Sequence, residues 1–531
     1  MRRPGLLESW RDEVSGCRGV LRLQPFPMTD DLRRRAVRAI GASSVGGWLA
    51  KLISLLSTLV LVRLLTPEDF GLMAIATTAA GFIGFFNEVG MGAAIVQRKE
   101  LRDAEINGCF GIAVLASAVL CGLAVAASWP VASFFQMPRL QPVLATLGFG
   151  FFFGALDTVP ISLLRRQLRM QEVMWVGVAG AMVQSIVAIP MAFLGFGYWA
   201  LVAAFFVGQT VTLVWLWTVA GWRPTWPMRL RDGTSLLNYG LGVTYTRVLW
   251  HLYMNADKLI VGKLLGAQSV GIYDVSRSLA SLPTAQITGL VASVAAPVFA
   301  RVQNDAARLG AVLLRLTGGL TYLVAPLLLG IAVTAPELVS VLLGPQWTAA
   351  VLPMQALCIS ELVAATINNL QAQLLISTGH VQRLVRFTTL CAVVMPLALA
   401  VGAWQAGLIG VAMAWACVYP LLNVVLVREA LRVCDLAPGQ LWRAMRQPLF
   451  GALLMIAFVQ AARTGLNALN LPALAVLVGS VAVGALVYLS YLVIVDRSGL
   501  AEVRQVLTDF GVPARHTDRW PFNRGVDPKP G

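Results

Sequence analysis

Charged side chains inside long apolar stretches are the residues of this sequence best suited to chemistry. Lys51 lies thirteen residues after Arg38 and twelve before Arg63, so about 18 Å of helix separates it from either flank. A charge at mid-bilayer costs about 2.5–3.5 kcal/mol on insertion scales, and such charges usually face a cavity or a partner. Lys51 is therefore a candidate for binding an anionic group, with a structural ion pair as the alternative.

A second group of ionisable residues lies between positions 247 and 277. Arg247 and His251 are four apart, so they share one helix face. Asp274 and Arg277 are three apart on a later stretch, close enough to pair, so an ion pair within one helix is the alternative to a role in ligand binding. We predict that the cations of both groups line a common cavity, namely Lys51, Arg247, His251 and Arg277.

Four carboxylates are candidates for binding a proton or sodium ion during transport, because buried acids in membrane proteins commonly do so. Asp257 and Asp274 lie beside the cations Lys258 and Arg277. The other candidate acids are Glu88 and Asp157. The alternative for each is a structural contact that only joins helices.

Catalytic signatures are missing from the sequence. We find no phosphate-binding glycine loop, no nucleophile elbow, no metal cluster and no ATPase motif. The sequence therefore predicts no enzyme activity, no cofactor and no metal. If the activity is transport, it would draw on an ion gradient or on the flux of substrate.

The composition is that of a membrane protein. Of 531 residues, 57% are hydrophobic and 13% are charged, against about 25% charged in soluble domains. The net charge of +15 lies mostly between apolar stretches, which indicates loops that set topology rather than nucleic-acid binding. We predict an all-α polytopic fold with about 14 transmembrane helices. Their ranges are 39–62, 70–94, 107–129, 143–164, 173–195, 198–221, 238–262, 268–299, 312–334, 349–376, 384–405, 408–427, 448–466 and 471–495.

The loops between these helices alternate in charge. One set holds about 18 arginines and lysines, whereas the other holds only Arg63, Arg139, Lys263 and Arg463. The positive-inside rule then predicts that both termini are cytoplasmic. Loops on the opposite side are short, which disfavours membrane glycosyl polymerases and ligases because these need an exposed catalytic loop.

A short stretch occurs twice. Arg63-Leu64-Leu65 through Gly71 aligns without a gap with Lys263-Leu264-Leu265 through Gly271. Two halves built from a repeat are the common plan of secondary transporters. The predicted organisation is an N-terminal segment 1–37, a first half 38–222, a second half 238–430, two further helices in 447–495 and a tail 496–531.

Motifs in both halves resemble those of bacterial polysaccharide flippases of the Wzx type. LLTPEDFG and Asn87 to Gln97 resemble the first hairpin of that family. Asn255 to Lys258 and the glycines and tyrosine that follow resemble its second-half motif, and Gly344-Pro345-Gln346-Trp347 resembles its G-x-x-W turn. The similarity extends from about Arg38 to about Val495.

This resemblance implies a MATE-like bundle of two six-helix lobes and two further helices in the bacterial inner membrane. It also implies an undecaprenyl-diphosphate-linked oligosaccharide as substrate, and a polysaccharide polymerase and export machinery as partners. From their positions, we assign the buried cations to the diphosphate. The alternatives are a proton- or sodium-coupled multidrug antiporter of the same superfamily and a membrane glycosyltransferase or ligase.

Overall fold

The computed structural model describes residues 47, 49–84, 92, 95–96, 102–225, 240–496 and 499. The described ranges contain helices and no β-strand. In chain order the α-helices are α1 (49–64), α2 (Pro67–Gly84), α3 (Asp103–Phe135), α4 (Leu140–Gly148), α5 (Gly150–Arg166), α6 (Met170–Phe193), α7 (Tyr198–Ala220), α8 (Gly240–Val302), α9 (Ala306–Val333), α10 (Ala335–Leu338), α11 (Val351–Val363), α12 (Asn369–Ser377), α13 (Val381–Met413), α14 (Tyr419–Val433), α15 (Pro438–Ala468) and α16 (Ala473–Ile494). Segments Val339–Leu343, Ala364–Asn368 and Ala414–Val418 are π-helical, and Pro345–Ala350 is a 3₁₀ helix.

Two of the longest helices are interrupted at glycines. In α8, Gly266 adopts φ 85° and ψ 175°, so the helix has two arms, 240–265 and 267–302. In α13, Gly407 adopts φ 57° and ψ −137°. Glycine tolerates these positive φ values because it has no Cβ. Both breaks fall between predicted spans, so each long helix contains parts of two spans.

The outer surface of the helices is apolar. Leu194, Trp404 and Ile494 are 75%, 84% and 74% exposed, which is stable only if the surrounding solvent is lipid. In the part of the chain that the structure describes, nine helical segments are long and apolar enough to cross a bilayer. The predicted all-α, multi-pass membrane fold is confirmed, while the number of fourteen helices stays a prediction.

The main core joins the two halves of the chain. Ile75 and Phe135 of the first half belong to the same buried apolar cluster as Tyr273 and Leu399 of the second. Gly262 lies where a Cβ would be 3.0 Å from Ile75 and 3.2 Å from Phe135, so α8 approaches the first half closely. The core therefore holds the halves together along α2 and the first arm of α8.

The last two helices pack against the second half. The Tyr488 hydroxyl donates to the Tyr322 carbonyl of α9 at 2.9 Å. Arg463 of α15 pairs with Glu337 of α10 at 2.6 Å. These contacts attach α15 and α16 to the bundle outside the interface between the halves. The predicted domain boundaries stay predictions.

Candidate functional site

The two copies of the repeated stretch pack against each other. A Cβ on Gly71 would overlap the backbone of Ala267 and Gly271, and a Cβ on Gly271 would overlap the backbone of Pro67 and Gly71. Each glycine thus lies against its own counterpart, as expected for halves related by an approximate twofold axis. We use the term closed end for this crossing and the residues that surround it, 62–71, 134–139, 263–271 and 341–347.

The cations that begin the two copies also reach across to the opposite half. Arg63 donates to the Val341 carbonyl and, from Nε, to the Leu342 carbonyl at 3.2 Å. Lys263 donates from Nζ to the Phe134 carbonyl at 2.5 Å and lies 4.6 Å from the centroid of the Phe134 ring. Carbonyls at the carboxyl end of a helical segment attract positive charge, so both contacts stabilise the closed end.

The Gly344-Pro345-Gln346-Trp347 turn completes the closed end. Gln346 Nε2 and Trp347 Nε1 donate to the Val62 carbonyl at 3.0 and 2.8 Å. The Trp347 side chain is fully buried, and its ring packs edge-on against Phe70 with 5.6 Å between centroids. The turn that carries part of the family resemblance therefore seals the second half against the end of α1.

The four cations of the charge-poor loops all have partners. Arg63 and Lys263 bind carbonyls across the closed end. Arg139 lies 3.4 Å from Glu68, and Arg463 lies 2.6 Å from Glu337. Structural contacts therefore account for the presence of these cations on a side of the protein that otherwise lacks them.

A polar cavity of about 320 Å³ lies between α1, α2, α6 and α7, with Asp274 of the second half at its edge. Thr58, Thr77 and Ser185 in its lining each donate a hydroxyl hydrogen to a carbonyl one turn earlier, at 2.8–2.9 Å, which leaves the oxygen lone pairs as acceptors. The side-chain amide of Gln184 makes no hydrogen bond to the described residues. Hydroxyls and a free amide suit a ligand rich in hydroxyl groups.

Lys51 lies one turn before Ser54, the first residue of α1 that lines this cavity. Ser54 and Thr58, which line it, are three and seven residues later in α1 and therefore share a helix face with Lys51. The Lys51 side chain is exposed, and no carboxylate within the described ranges pairs with it. Its role in ligand binding stays a prediction, supported by its position and by its uncompensated charge.

Asp274 and Arg277 do not pair with each other in the structure. Lys258 Nζ instead lies 2.6 Å from Asp274 Oδ1, and Arg277 pairs with Asp257. The cause is the break at Gly266, which folds α8 into a hairpin. Residues at nearly equal distances before and after the break then face each other, so each carboxylate meets a cation of the opposite arm.

Arg277 and Asp257 form the centre of a buried polar cluster. Asp257 is 1% exposed and also accepts a hydrogen bond from the Tyr273 hydroxyl at 2.7 Å. The Arg277 guanidinium lies 5.0 Å from the centroid of the Trp415 ring. Trp415 sits in the π-helical segment Ala414–Val418, and π turns often mark functional positions because they re-aim side chains.

The remaining predicted site residues are distributed as follows. Arg247 and His251 lie in the first arm of α8, whose backbone is helical there. Glu88 lies outside the described residues. Asp157 lies on α5, which does not line the polar cavity, and its Oδ1 is buried with no hydrogen-bond partner among the described residues. Asp274 is the acid that the structure places at the cavity.

Several site residues were missed by reasoning from the sequence. Ser54, Ser57 and Thr58 form a polar stripe with helical spacing in an apolar stretch, and this spacing could have identified them. Gln184 and Trp415 carry no such signal. A single amide or indole in an apolar helix is common, and only the packing of several helices shows which one faces a cavity or a charge.

Comparison with known proteins gives the relatives of the chain. Residues 60–352 match the family described as "Polysaccharide biosynthesis protein". The chain is 26% identical over 444 residues to the succinoglycan biosynthesis transport protein ExoT of Rhizobium meliloti (strain 1021), covering 83% of this chain and 89% of ExoT. It is 21% identical over 401 residues to the lipopolysaccharide biosynthesis protein WzxC of Escherichia coli (strain K12), covering 74% and 80%.

Solved structures with the same fold include two transporters. The lipid II flippase MurJ in an inward closed conformation matches with a TM-score of 0.67 and 14% identity, covering 86% of this chain and 99% of MurJ. An inward-facing multidrug resistance MATE family transporter of the MOP superfamily matches with a TM-score of 0.58 and 16% identity, covering 72% and 94%. At these identities the likeness shows the fold alone. The predicted MATE-like architecture and the resemblance to polysaccharide flippases are confirmed.

Proposed function

Because the chain belongs to the polysaccharide biosynthesis protein family, we propose that it moves undecaprenyl-diphosphate-linked oligosaccharides across the bacterial inner membrane by alternating access. One observation carries the proposal: a cavity whose lining includes hydroxyls and an amide lies among helices of the first half, with Asp274 of the second half in its lining, and the two halves seal one end of the protein. The names of ExoT, WzxC and MurJ, which refer to succinoglycan transport, lipopolysaccharide biosynthesis and lipid II flipping, support a lipid-linked glycan as substrate.

The cavity gives a polar path for a polar headgroup. Sugar hydroxyls lose hydrogen bonds to water when they enter a membrane, at a cost of about 1–3 kcal/mol for each group that stays unpaired. Ser57, Thr58 and Gln184 offer replacement partners, while the polyprenyl chain stays in the bilayer. The protein acts in this scheme as a transporter rather than an enzyme.

Lys51 is the proposed first contact of the diphosphate, because its charge is not compensated by a carboxylate among the described residues. Arg277 is paired with Asp257, so a diphosphate reaching Arg277 has to compete with that carboxylate. Arg247 and His251 are the other two residues that we propose bind the diphosphate.

Ion coupling is proposed at the pair Lys258–Asp274, because Asp274 lies at the cavity. A diphosphate that attracts Lys258 would release Asp274 to bind a proton or a sodium ion. A ligand shifts an equilibrium only through differential affinity, and this exchange supplies the difference. Glu88, Asp157 and Asp257 are the other proposed coupling acids.

The closed end is assigned to the outer side of the inner membrane. It holds the charge-poor turns, which the positive-inside rule places away from the cytoplasm. Reporter fusions after Arg169 and after Arg386 are expected to give cytoplasmic signals, and a fusion after Trp347 an outer signal. A signal from the outer side for the fusion after Arg169 would contradict this assignment of the two sides.

The transport activity is testable in vesicles. Purified protein is reconstituted with a polyprenyl-diphosphate-linked oligosaccharide, and the fraction of glycan reached by a membrane-impermeant glycosidase is followed over time. We expect faster equilibration between leaflets than in protein-free vesicles. Lys51→Gln is expected to lower the initial rate about tenfold or more, the effect of losing one hydrogen bond to a charged group, and Gln184→Leu is expected to lower it about two- to tenfold, the effect of losing one hydrogen bond between neutral groups. Gln141→Leu is the control, because Gln141 is exposed on α4.

The same vesicles discriminate the alternatives. Gradient-driven uptake of a cationic dye without glycan movement would indicate a multidrug antiporter. A change in the mass of the lipid-linked glycan would indicate a glycosyltransferase or ligase. Partnership with a polysaccharide polymerase and export machinery is part of the proposal and is tested by co-purification from native membranes.

A further inference from the structure

A second, apolar groove lies between the two halves. Its volume is about 590 Å³, and its walls are α2, α3 and α4 on one side and the first arm of α8 with Ala400 of α13 on the other. Apolar side chains such as Phe82, Val131 and Ile260 make up almost the whole lining. Of the described residues that line it, Lys263 alone carries a charge.

The groove begins at the closed end and runs toward mid-membrane. Lys263 and Phe135 lie at its beginning, and Ala127 of α3 lies eight residues before Phe135. At 1.5 Å per residue, the groove extends about 12 Å along α3. That length fits within one leaflet of a hydrocarbon layer of about 30 Å, and the groove starts at the closed end.

Lys263 places a positive charge beside this apolar groove, and no carboxylate among the described residues pairs with it. Among the described residues, the only hydrogen bond and ring contact of its ammonium group are with the carbonyl and ring of Phe134. By contrast, Arg139 and Arg463, two other cations of the charge-poor loops, pair with Glu68 and Glu337. An ammonium has three N–H donors, and the Phe134 carbonyl takes one. Two donors remain for an anionic acceptor above an apolar groove.

We propose that this groove binds an acyl chain of an anionic phospholipid of the adjacent leaflet, with the lipid phosphate on Lys263. The volume falls within the usual range of ligand sites, about 300–1,000 Å³. Basic pockets between transmembrane helices bind lipid headgroups through the same combination of charge and apolar surface. A free phosphate would leave the groove empty, whereas a phospholipid fills it.

A lipid-linked glycan is a poorer fit to the groove. The groove and the polar cavity have no lining residue in common, and the groove offers no hydroxyl or amide side chain to a sugar. The site is therefore separate from the transport path. A lipid seated there contacts both halves beside the closed end, so it stabilises the conformation in which the halves meet.

Native mass spectrometry tests the proposal. The protein is placed in nanodiscs of phosphatidylglycerol and phosphatidylcholine with identical chains in equal amounts, and the retained lipids are counted. The parent is expected to retain phosphatidylglycerol preferentially. Lys263→Gln is expected to reduce that preference about tenfold, as for the loss of one hydrogen bond between charged groups, and Lys263→Arg is expected to keep it.

Matched variants separate the groove from other surfaces. Ala127→Trp fills the groove and is expected to lower retention of both lipids, whereas Ala126→Trp, one exposed position away on α3, leaves retention unchanged. Arg139→Gln removes another cation of the closed end and is expected to leave the preference for phosphatidylglycerol unchanged.

An equal preference for phosphatidylglycerol in Lys263→Gln and the parent, or retention of a polyprenyl phosphate instead of phospholipid, would overturn the proposal. Gel filtration confirms that each variant is folded before it is compared.

Discussion

Gly71→Ala is expected to shift the protein out of the conformation with the closed end sealed. The added Cβ overlaps the backbone of Ala267 and Gly271, and backbone atoms cannot turn aside as a side chain can. Overpacking of this kind costs about 1–3 kcal/mol, which changes a two-state population about 5- to 150-fold. Gly271→Ala is expected to act in the same way, because it meets Pro67 and Gly71 from the other half.

The shift is measured as exposure of the polar cavity. A cysteine at Thr77, which lines the cavity, is modified with a membrane-impermeant thiol reagent in a background with Cys17 and Cys417 replaced by Ser. We expect faster modification in Gly71→Ala than in the parent, and slower glycan transport because one of the two end states is disfavoured.

Gly289→Ala is the matched control for this experiment. Gly289 lies in the second arm of α8, as Gly271 does, but a Cβ there meets nothing within 4 Å. Alanine also has the higher helix propensity, so this variant should be as stable as the parent or slightly more so. Equal modification rates in Gly71→Ala and Gly289→Ala would contradict the assigned role of the crossing.

The repeat explains why so much of this fold was readable from the sequence. Apolar length and loop charge predicted the membrane helices, and the aligned glycines at 71 and 271 predicted two related halves. The structure adds the fact that these glycines contact each other, which alignment alone does not give. A sequence repeat predicts that two segments have the same local structure. It does not predict that the segments contact each other, because that depends on how the two halves assemble.

The candidate site was less readable, because its contacts depend on how hairpins fold back. Asp274 and Arg277 are close in sequence, yet Lys258 and Asp257 of the opposite arm are closer in space. Sequence spacing describes neighbours along one helix face, whereas the position of a break decides which residues meet across a hairpin. A prediction that had used Gly266 as the centre of a hairpin would have favoured the observed pairs.

The cations near the closed end also show that the sequence does not predict contacts between the halves. Four cations lie in the charge-poor loops, and from the sequence alone they are exceptions to the positive-inside rule. In the structure all four have partners, and Arg63 and Lys263 join the halves. Those two contacts must break whenever the closed end opens, so they bias the protein toward the sealed conformation.

Asp257→Asn is expected to have the largest effect of any change in the ion-pair hairpin. Asp257 is 1% exposed, and the substitution removes the negative charge that faces Arg277. Breaking a buried pair on one side costs about 3–5 kcal/mol, and the 22% exposure of the Arg277 side chain places the expected cost at the lower end of that range. We expect loss of monodisperse protein after mild heating, and at least a tenfold fall in transport at temperatures where the parent is stable.

Asp274→Asn is expected to behave differently, and the contrast separates structure from coupling. The side chains of Lys258 and Asp274 are 19% and 28% exposed, so solvent screens this pair more than it screens Asp257. The variant should remain folded, as should Glu68→Gln, whose pair with Arg139 is largely exposed.

If Asp274 binds the coupling ion, transport by Asp274→Asn will no longer accelerate when a proton or sodium gradient is imposed, whereas transport by Glu68→Gln will accelerate as it does in the parent. Moving one charge through 100 mV is worth about 2.3 kcal/mol, roughly fiftyfold in a population, so the lost acceleration is large enough to measure. Equal acceleration of Asp274→Asn and the parent would move the coupling site to another acid and leave the pair with Lys258 as a structural contact.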